Sequence, residues 1–412
     1  MRPAKLPTHA QLATRHPRYG ATTRYLIVFR DGALDAGMDA LRRAGFAVME
    51  SGGTAESHVS ESEAADADVL VFRKLGIGIL SGAQDHLKRV SELVSTSHAS
   101  PIVTVTREKV VRTLQSAGAA VPVPSSGVGW WLNAARVTTS PFSGKGVKIA
   151  IADTGLDLNH PDFANRVTDT YSAIPGATPQ DMAGHGTQCA GIAAGPTVPS
   201  SAQRYGIAGN CNIAVAKVIS DSGIGAQGWV VAGCEWALTR GCRIICLAME
   251  DAVSPGEPAD PVYEKLGKQC LDNRTLLIAA AGNDSHRAMG DLRPVSSPAN
   301  CVSIMGVGAV GMYNSQLQVA PFSNAGGNGP GSDVDIAAPG VSIASACPLP
   351  VKYTTGSGTS QAAAFVSGIA ALVLEKNPAL NAIELWQFLC QTAQKLPFAS
   401  SDVGAGLVQA PQ

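Results

Sequence analysis

The chain has 412 residues, 45% of them hydrophobic and 15% charged, with a formal net charge of -1. That is enough apolar material for one large core and a small second one. The near-neutral balance argues against nucleic acid as a partner. The absence of any apolar run near the roughly 20 residues that a membrane helix needs argues against a membrane.

Residues 1–20 are polar, carry Arg2, Lys5, Arg15 and Arg18, and have no apolar stretch of the kind a secretory signal requires. Localisation therefore stays open between the cytoplasm and export by an unrecognised route. Residues 21–112 read as a small α+β unit. Tyr25–Phe29, Ala67–Phe72 and Pro101–Val105 are apolar β runs, and Asp35–Ala44 and Asp85–Leu93 have helical spacing. The β-α-β…α-β order fits a split βαβ, ferredoxin-like unit, which could serve as a binding module, a regulatory domain or a removable pro-segment. Residues 113–129, rich in Gly, Ala, Pro and Ser, read as a linker.

From 130 to 412 the pattern changes to repeated strand and helix. Apolar strands are expected at Gly146–Asp153, Ile213–Val218, Arg243–Met249, Leu276–Ala281, Val302–Val310 and Val334–Ala337. Helices are expected at Gln188–Ala194, Trp229–Arg240 and Gln361–Leu374, the last apolar on nearly every side and so central. Such an alternation predicts a doubly wound, mostly parallel α/β sheet. The nine cysteines, Cys189 to Cys390, show no zinc spacing and read as mostly reduced, buried thiols with room for one or two disulfides.

Four stretches carry chemical potential. Asp153 ends a strand, where α/β sheets place reactive groups, although turn and cap aspartates are also common. His185 lies between Gly184 and Gly186, as a structural histidine or as a reactive one that another chain can approach closely past the glycines. Asn283, after Gly282, could be a left-handed turn residue or an amide offered to a developing oxyanion. Gly358-Thr359-Ser360 precedes a helix, as an ordinary cap or as a nucleophile facing unpaired N–H groups.

Asp153-Thr-Gly, Gly184-His185-Gly-Thr, Ala281-Gly282-Asn283 and Gly358-Thr-Ser360, in that order, resemble the motifs of subtilisin-like serine proteases, the subtilases. The resemblance runs from about Trp130 to Gly406. It implies a serine endopeptidase acting on polypeptides, with Ser360 as nucleophile, His185 as general base and Asp153 orienting the imidazole. Asn283 and the Ser360 N–H would hold the oxyanion. Leu247, Ala248, Met249 and Glu250 match the substrate-pairing strand, Gly223, Ile224 and Gly225 the loop opposite, and Ala281 and Gly282 the adjoining wall. The small unit resembles an inhibitory pro-segment acting on its own chain.

No cofactor is implied. Asp162 matches a calcium ligand of the family, but residues 196–205 offer only neutral oxygens beside Arg204, so no tight site is expected. The chain also departs from the family pattern. Gln361 replaces a methionine, Ala364 and Phe365 replace Pro-His, and Glu250 replaces a glycine; it reads either as a pocket-rim carboxylate that would favour basic side chains or as a solvated loop glutamate. Two alternative readings stand beside the endopeptidase: a peptide ligase or cyclase on the same scaffold, and a catalytically inactive binding protein of the same fold.

Overall fold

The computed structural model describes residues 24–51, 67–81, 84–95, 100–113, 129–200, 203–327 and 332–412. The polar tail 1–20 and linker residues 114–128 lie outside the described residues.

The small unit opens with β1 (Tyr25–Phe29), α1 (Leu34–Arg43), β2 (Val48–Glu50) and β3 (Val69–Phe72), and continues with β4 (Ile77–Leu80), α2 (Gln84–Ser95) and β5 (Ile102–Arg107). Its sheet order is β2-β3-β4-β1-β5, with β1 antiparallel to both β4 and β5. Without β2 this is the strand order of a split βαβ unit. The central strand β4 carries no clear sequence signal, because Ile77-Gly-Ile-Leu80 is short and follows β3 through a tight turn. One face of the sheet, with Ile27, Phe29 and Val71, packs on α1 and α2 through Met38, Leu41 and Val90. The other, with Leu26, Val28, Leu70 and Phe72, joins the core of the large domain. Beyond β5 comes a short strand, β6 (Val110–Arg112).

The large domain begins at α3 (Trp130–Ala134) and continues through β7 (Lys148–Asp153), β8 (Val167–Ser172), α4 (His185–Ala194) and β9 (Asn212–Lys217). Next come β10 (Ile224–Ala226), α5 (Gln227–Thr239), β11 (Ile244–Leu247), α6 (Pro261–Asp272) and β12 (Leu276–Ala280). The last third holds β13 (Met305–Tyr313), β14 (Gln316–Val319), β15 (Ile336–Pro339), the hairpin β16 (Ile343–Ala346) and β17 (Tyr353–Gly356), and α7 (Thr359–Lys376).

Strands β8, β9, β7, β11, β12 and β13 lie side by side and parallel, with β15 parallel and β14 antiparallel on β13. Alternate residues bury on opposite faces. Ile149, Ile151, Ile213 and Ile278 meet α4 and α7, whereas Ala150, Ala216, Ile245 and Leu277 meet α5 and α6. Both faces are apolar, which is why these strands read as continuous hydrophobic runs. Residues Thr359 to Leu374 of α7 are all buried. All nine cysteines are free thiols, seven of them buried, so the structure contains none of the disulfides for which the sequence left room.

Polar contacts fix the small unit on α5. No side chain caps the start of α5 from its own N-cap position. Instead Glu108 accepts the Gly228 N–H at 2.9 Å while paired with Arg24 at 2.7 Å. An acid from one unit thus satisfies an orphan donor at the positive end of a helix in the other. Glu235 of α5 receives the Ser51 hydroxyl and, at 3.0 Å, the Lys74 N–H. Glu108→Ala is expected to lower stability by about 1–3 kcal/mol. Urea unfolding of the full chain measures this, and an unchanged midpoint would show that the cap contributes nothing.

Candidate active site

The site lies where the parallel strands end. Strand β7 delivers Asp153, fully buried, and the start of α4 delivers His185. The imidazole Nδ1 sits 2.8 and 2.9 Å from the two Asp153 oxygens. Burial disfavours the charged ring, but the adjacent carboxylate outweighs it and holds the His185 pKa above its usual 6.5.

Asp181, which sequence reasoning passed over, braces this pair. Its Oδ1 accepts the Thr154 hydroxyl at 2.9 Å and the Gly184 N–H at 2.8 Å, and its Oδ2 accepts the Thr187 N–H at 2.9 Å. It therefore joins the segment after Asp153 to both flanks of His185. A Cβ on Gly186 would lie 3.0 Å from the Gly155 nitrogen and closer still to the Gly155 carbonyl, so only glycine permits this approach.

Ser360 is the second residue of α7 and 2% exposed. Its hydroxyl donates to the Ala248 carbonyl at 3.2 Å. His185 Nε2 is buried and has no hydrogen-bond partner among the described residues. The serine–imidazole bond is therefore not made in this structure. Asn283 Oδ1 accepts the Thr359 N–H at 2.8 Å and the Thr359 hydroxyl at 3.1 Å. With the oxygen so committed, the amide nitrogen is the end left to donate. Gln361 bonds Gln188 at 2.7 Å, linking the residue after the serine to α4.

Strand β6 of the small unit lies between two edges of this site. Arg112, Val111 and Val110 pair antiparallel with Ile224, Gly225 and Ala226. On the other side Arg112 exchanges both backbone hydrogen bonds with Glu250, each 2.9 Å. Thr113 donates to the Gly223 carbonyl at 3.1 Å. Gly223, Gly225 and Glu250 thus hold an extended chain through their backbones, whereas the Ile224 carbonyl takes the Ser220 N–H.

Other expectations need correction. Leu247 and Met249 point into the core, because alternate residues of a strand face opposite sides. Ala281 is equally buried, its N–H given to Val307 and its carbonyl taken by Ser296, so it has no backbone group left for substrate. Gly282 gives its N–H to the Thr359 hydroxyl at 3.1 Å. Glu250 is not a rim residue. It is 4% exposed, and burial, with Asp284 beside it, pushes its pKa up to about 8, so it is largely neutral at pH 7 and exerts little pull on basic side chains.

The surroundings of Asp162 do not fit a cation. Its carboxylate accepts the Ser200 N–H at 2.8 Å, the Tyr205 hydroxyl at 2.8 Å and the Tyr353 hydroxyl at 3.0 Å. These are donors, whereas calcium requires six to eight acceptor oxygens. Asp153, His185 and Cys189 also lie close enough to suggest a metal cluster. However, Nδ1 is committed to Asp153, and burial raises the thiol pKa well above its ordinary value.

Residues 144–406 match the profile described as the Subtilase family, 64% of the chain. The chain belongs to the subtilase family. It is 32% identical to subtilisin E of Bacillus subtilis (strain 168) over 267 residues, covering 64% of this chain and 65% of that protein. It is also 32% identical to the subtilisin of Bacillus pumilus over 279 residues, covering 67% and 94% respectively. Fervidolysin from Fervidobacterium pennivorans, described as a keratinolytic enzyme related to subtilisin, superposes with a TM-score of 0.70 at 19% identity, over 96% of this subtilase and 61% of its own chain.

The Asp162 geometry gives an expectation of its own. Asp162→Ala should cost roughly 2–4 kcal/mol, since it strands three donors. Calcium or EDTA should shift the Tm of wild type and of Asp162→Ala alike, to within about 1 °C, because a carboxylate already taken by three donors gains nothing from the ion. Differential scanning calorimetry with and without each reagent tests both.

Proposed function

We propose that the chain is a serine endopeptidase whose own N-terminal unit occupies the substrate cleft until it is cut. The observation that carries this reading is β6, an extended segment paired on both edges beside Asp153, His185 and Ser360. A substrate would add in the same way, as a strand between Gly223–Gly225 and Glu250.

Hydrogen-bonded pairs in an antiparallel ladder recur every two residues. A substrate residue two positions beyond the one facing Glu250 therefore meets Ala248. Its N–H takes the Ala248 carbonyl and releases the Ser360 hydroxyl to His185 Nε2. Ser360 Oγ then attacks the carbonyl carbon as its proton passes to Nε2, and the Asn283 amide and Ser360 N–H receive the oxyanion. The imidazolium, stabilised by Asp153, returns the proton to the leaving amine. Water, activated by the same base, then hydrolyses the acyl-enzyme.

Ser360→Ala should reduce kcat on a peptide anilide by roughly 10⁴-fold or more, and Asn283→Ala by roughly 10²–10³. Continuing the register from Arg112 opposite Glu250 by two residues points to self-cleavage after Leu114. Mass spectrometry should then find a new N-terminus at Gln115 in wild type and an intact chain in Ser360→Ala. Full activity in a protein that keeps its entire mass would refute the inhibitory role.

The base must be neutral to take a proton, and the His185 pKa is held above 6.5. kcat/KM should therefore fall as pH drops through that raised value. In Asp153→Asn the acid limb should move to lower pH, because the charge that raises the imidazole is gone. A limb that stays in place would assign it to another group.

A further inference from the structure

The Glu250 carboxyl lies in the gap between the segment 248–250 and the segment 281–283. Its Oε2 accepts the Asn283 N–H at 3.0 Å, and a Cβ on Gly282 would come within 2.9 Å of that same oxygen. Asn283 is thus held at two points. Glu250 holds its backbone, and Thr359, next to the nucleophile, holds its side-chain oxygen. Gly282, between them, is at φ +108° and gives its N–H to the Thr359 hydroxyl. Removing either hold would let the amide swing, because a glycine at positive φ puts little steric limit on its neighbour.

We propose that Glu250 is a positioning residue for catalysis that acts through Asn283, its carboxyl fixing the 282–283 backbone so that the Asn283 amide meets the oxyanion. This rests on the reading of Asn283 as an oxyanion donor. The anchor suits the task only while it stays neutral, since a carboxylate beside Asn283 would oppose the negative charge developing there. The charged groups around it are Asp284 and Asp251, with Lys109 3.8 Å from Asp251. A substrate strand pairs with the Glu250 backbone and leaves the carboxyl where it is, so the anchor operates in the enzyme–substrate complex.

The test is a double-mutant cycle at pH 7, with kcat and KM on a tetrapeptide p-nitroanilide for Glu250→Ala, Asn283→Ala and the pair. Glu250→Ala should lower kcat roughly tenfold with KM changed by less than about twofold, since the lost contact matters only in the transition state. Added to Asn283→Ala, it should cause no further loss. Glu250→Gln, which keeps an acceptor oxygen without charge, should stay within about threefold of wild type. If Glu250→Ala does not fold, Glu250→Met, which keeps the bulk and loses the acceptor, takes its place against Glu250→Gln. An equal loss in the presence and absence of Asn283, or a change confined to KM, overturns the proposal. Undiminished activity in Ser360→Ala would instead overturn the protease reading itself.

Discussion

The arrangement depends on how the first turn of a helix buried from Thr359 to Leu374 is satisfied. An α-helix leaves its first N–H groups unpaired, and burying them unbonded costs free energy. Gly358, at the N-cap position of α7, has no side chain with which to cap it. The cap comes from 76 residues away, where the Asn283 side-chain oxygen accepts the Thr359 N–H. That bond locates the end of β12 against the start of α7, and so locates an amide beside Ser360. One hydrogen bond thus serves both the start of the helix and the position of the Asn283 amide.

The opposite wall follows a related logic. Asp153 and His185 come from different elements, a strand end and a helix start, and both are buried. Their separation is fixed by their own contact and by Asp181, whose carboxylate gathers the Thr154 hydroxyl and the backbone on both sides of His185. Small residues make this compactness attainable. Gly155 against Gly186, and the alanines of β7, β9 and α7, let the backbones approach until polar groups bond directly.

The N-terminal unit combines two kinds of contact with different consequences. Its sheet face contributes apolar area that closes the core over α5 and α6. Strand β6 and Glu108 contribute direction, one by pairing with both edges of the cleft and the other by capping α5. Apolar burial alone would tolerate sliding of one surface on the other, whereas backbone pairing fixes register to the residue. The apolar face therefore supplies the attachment and β6 supplies its alignment with Ser360.

By itself the sequence determined the order and type of the main elements in the large domain. Apolar strand runs such as Leu276–Ala281 and the all-round apolar α7 have few alternatives once both faces of a sheet must be covered. It also singled out Asp153, His185, Asn283 and Ser360 as candidates, because each lies in a short glycine-marked motif and the four stand in the order of one family. Tertiary structure alone decided which side chains face the cleft. Leu247, Met249 and Ala281 adjoin cleft positions in sequence, yet face the core because strand neighbours alternate. It decided the surroundings of Glu250, whose burial depends on Asn283, Asp284 and Arg112, all remote in sequence. It also decided the place of β6, three residues whose pattern says nothing until two edges with unpaired backbone groups lie on either side of them.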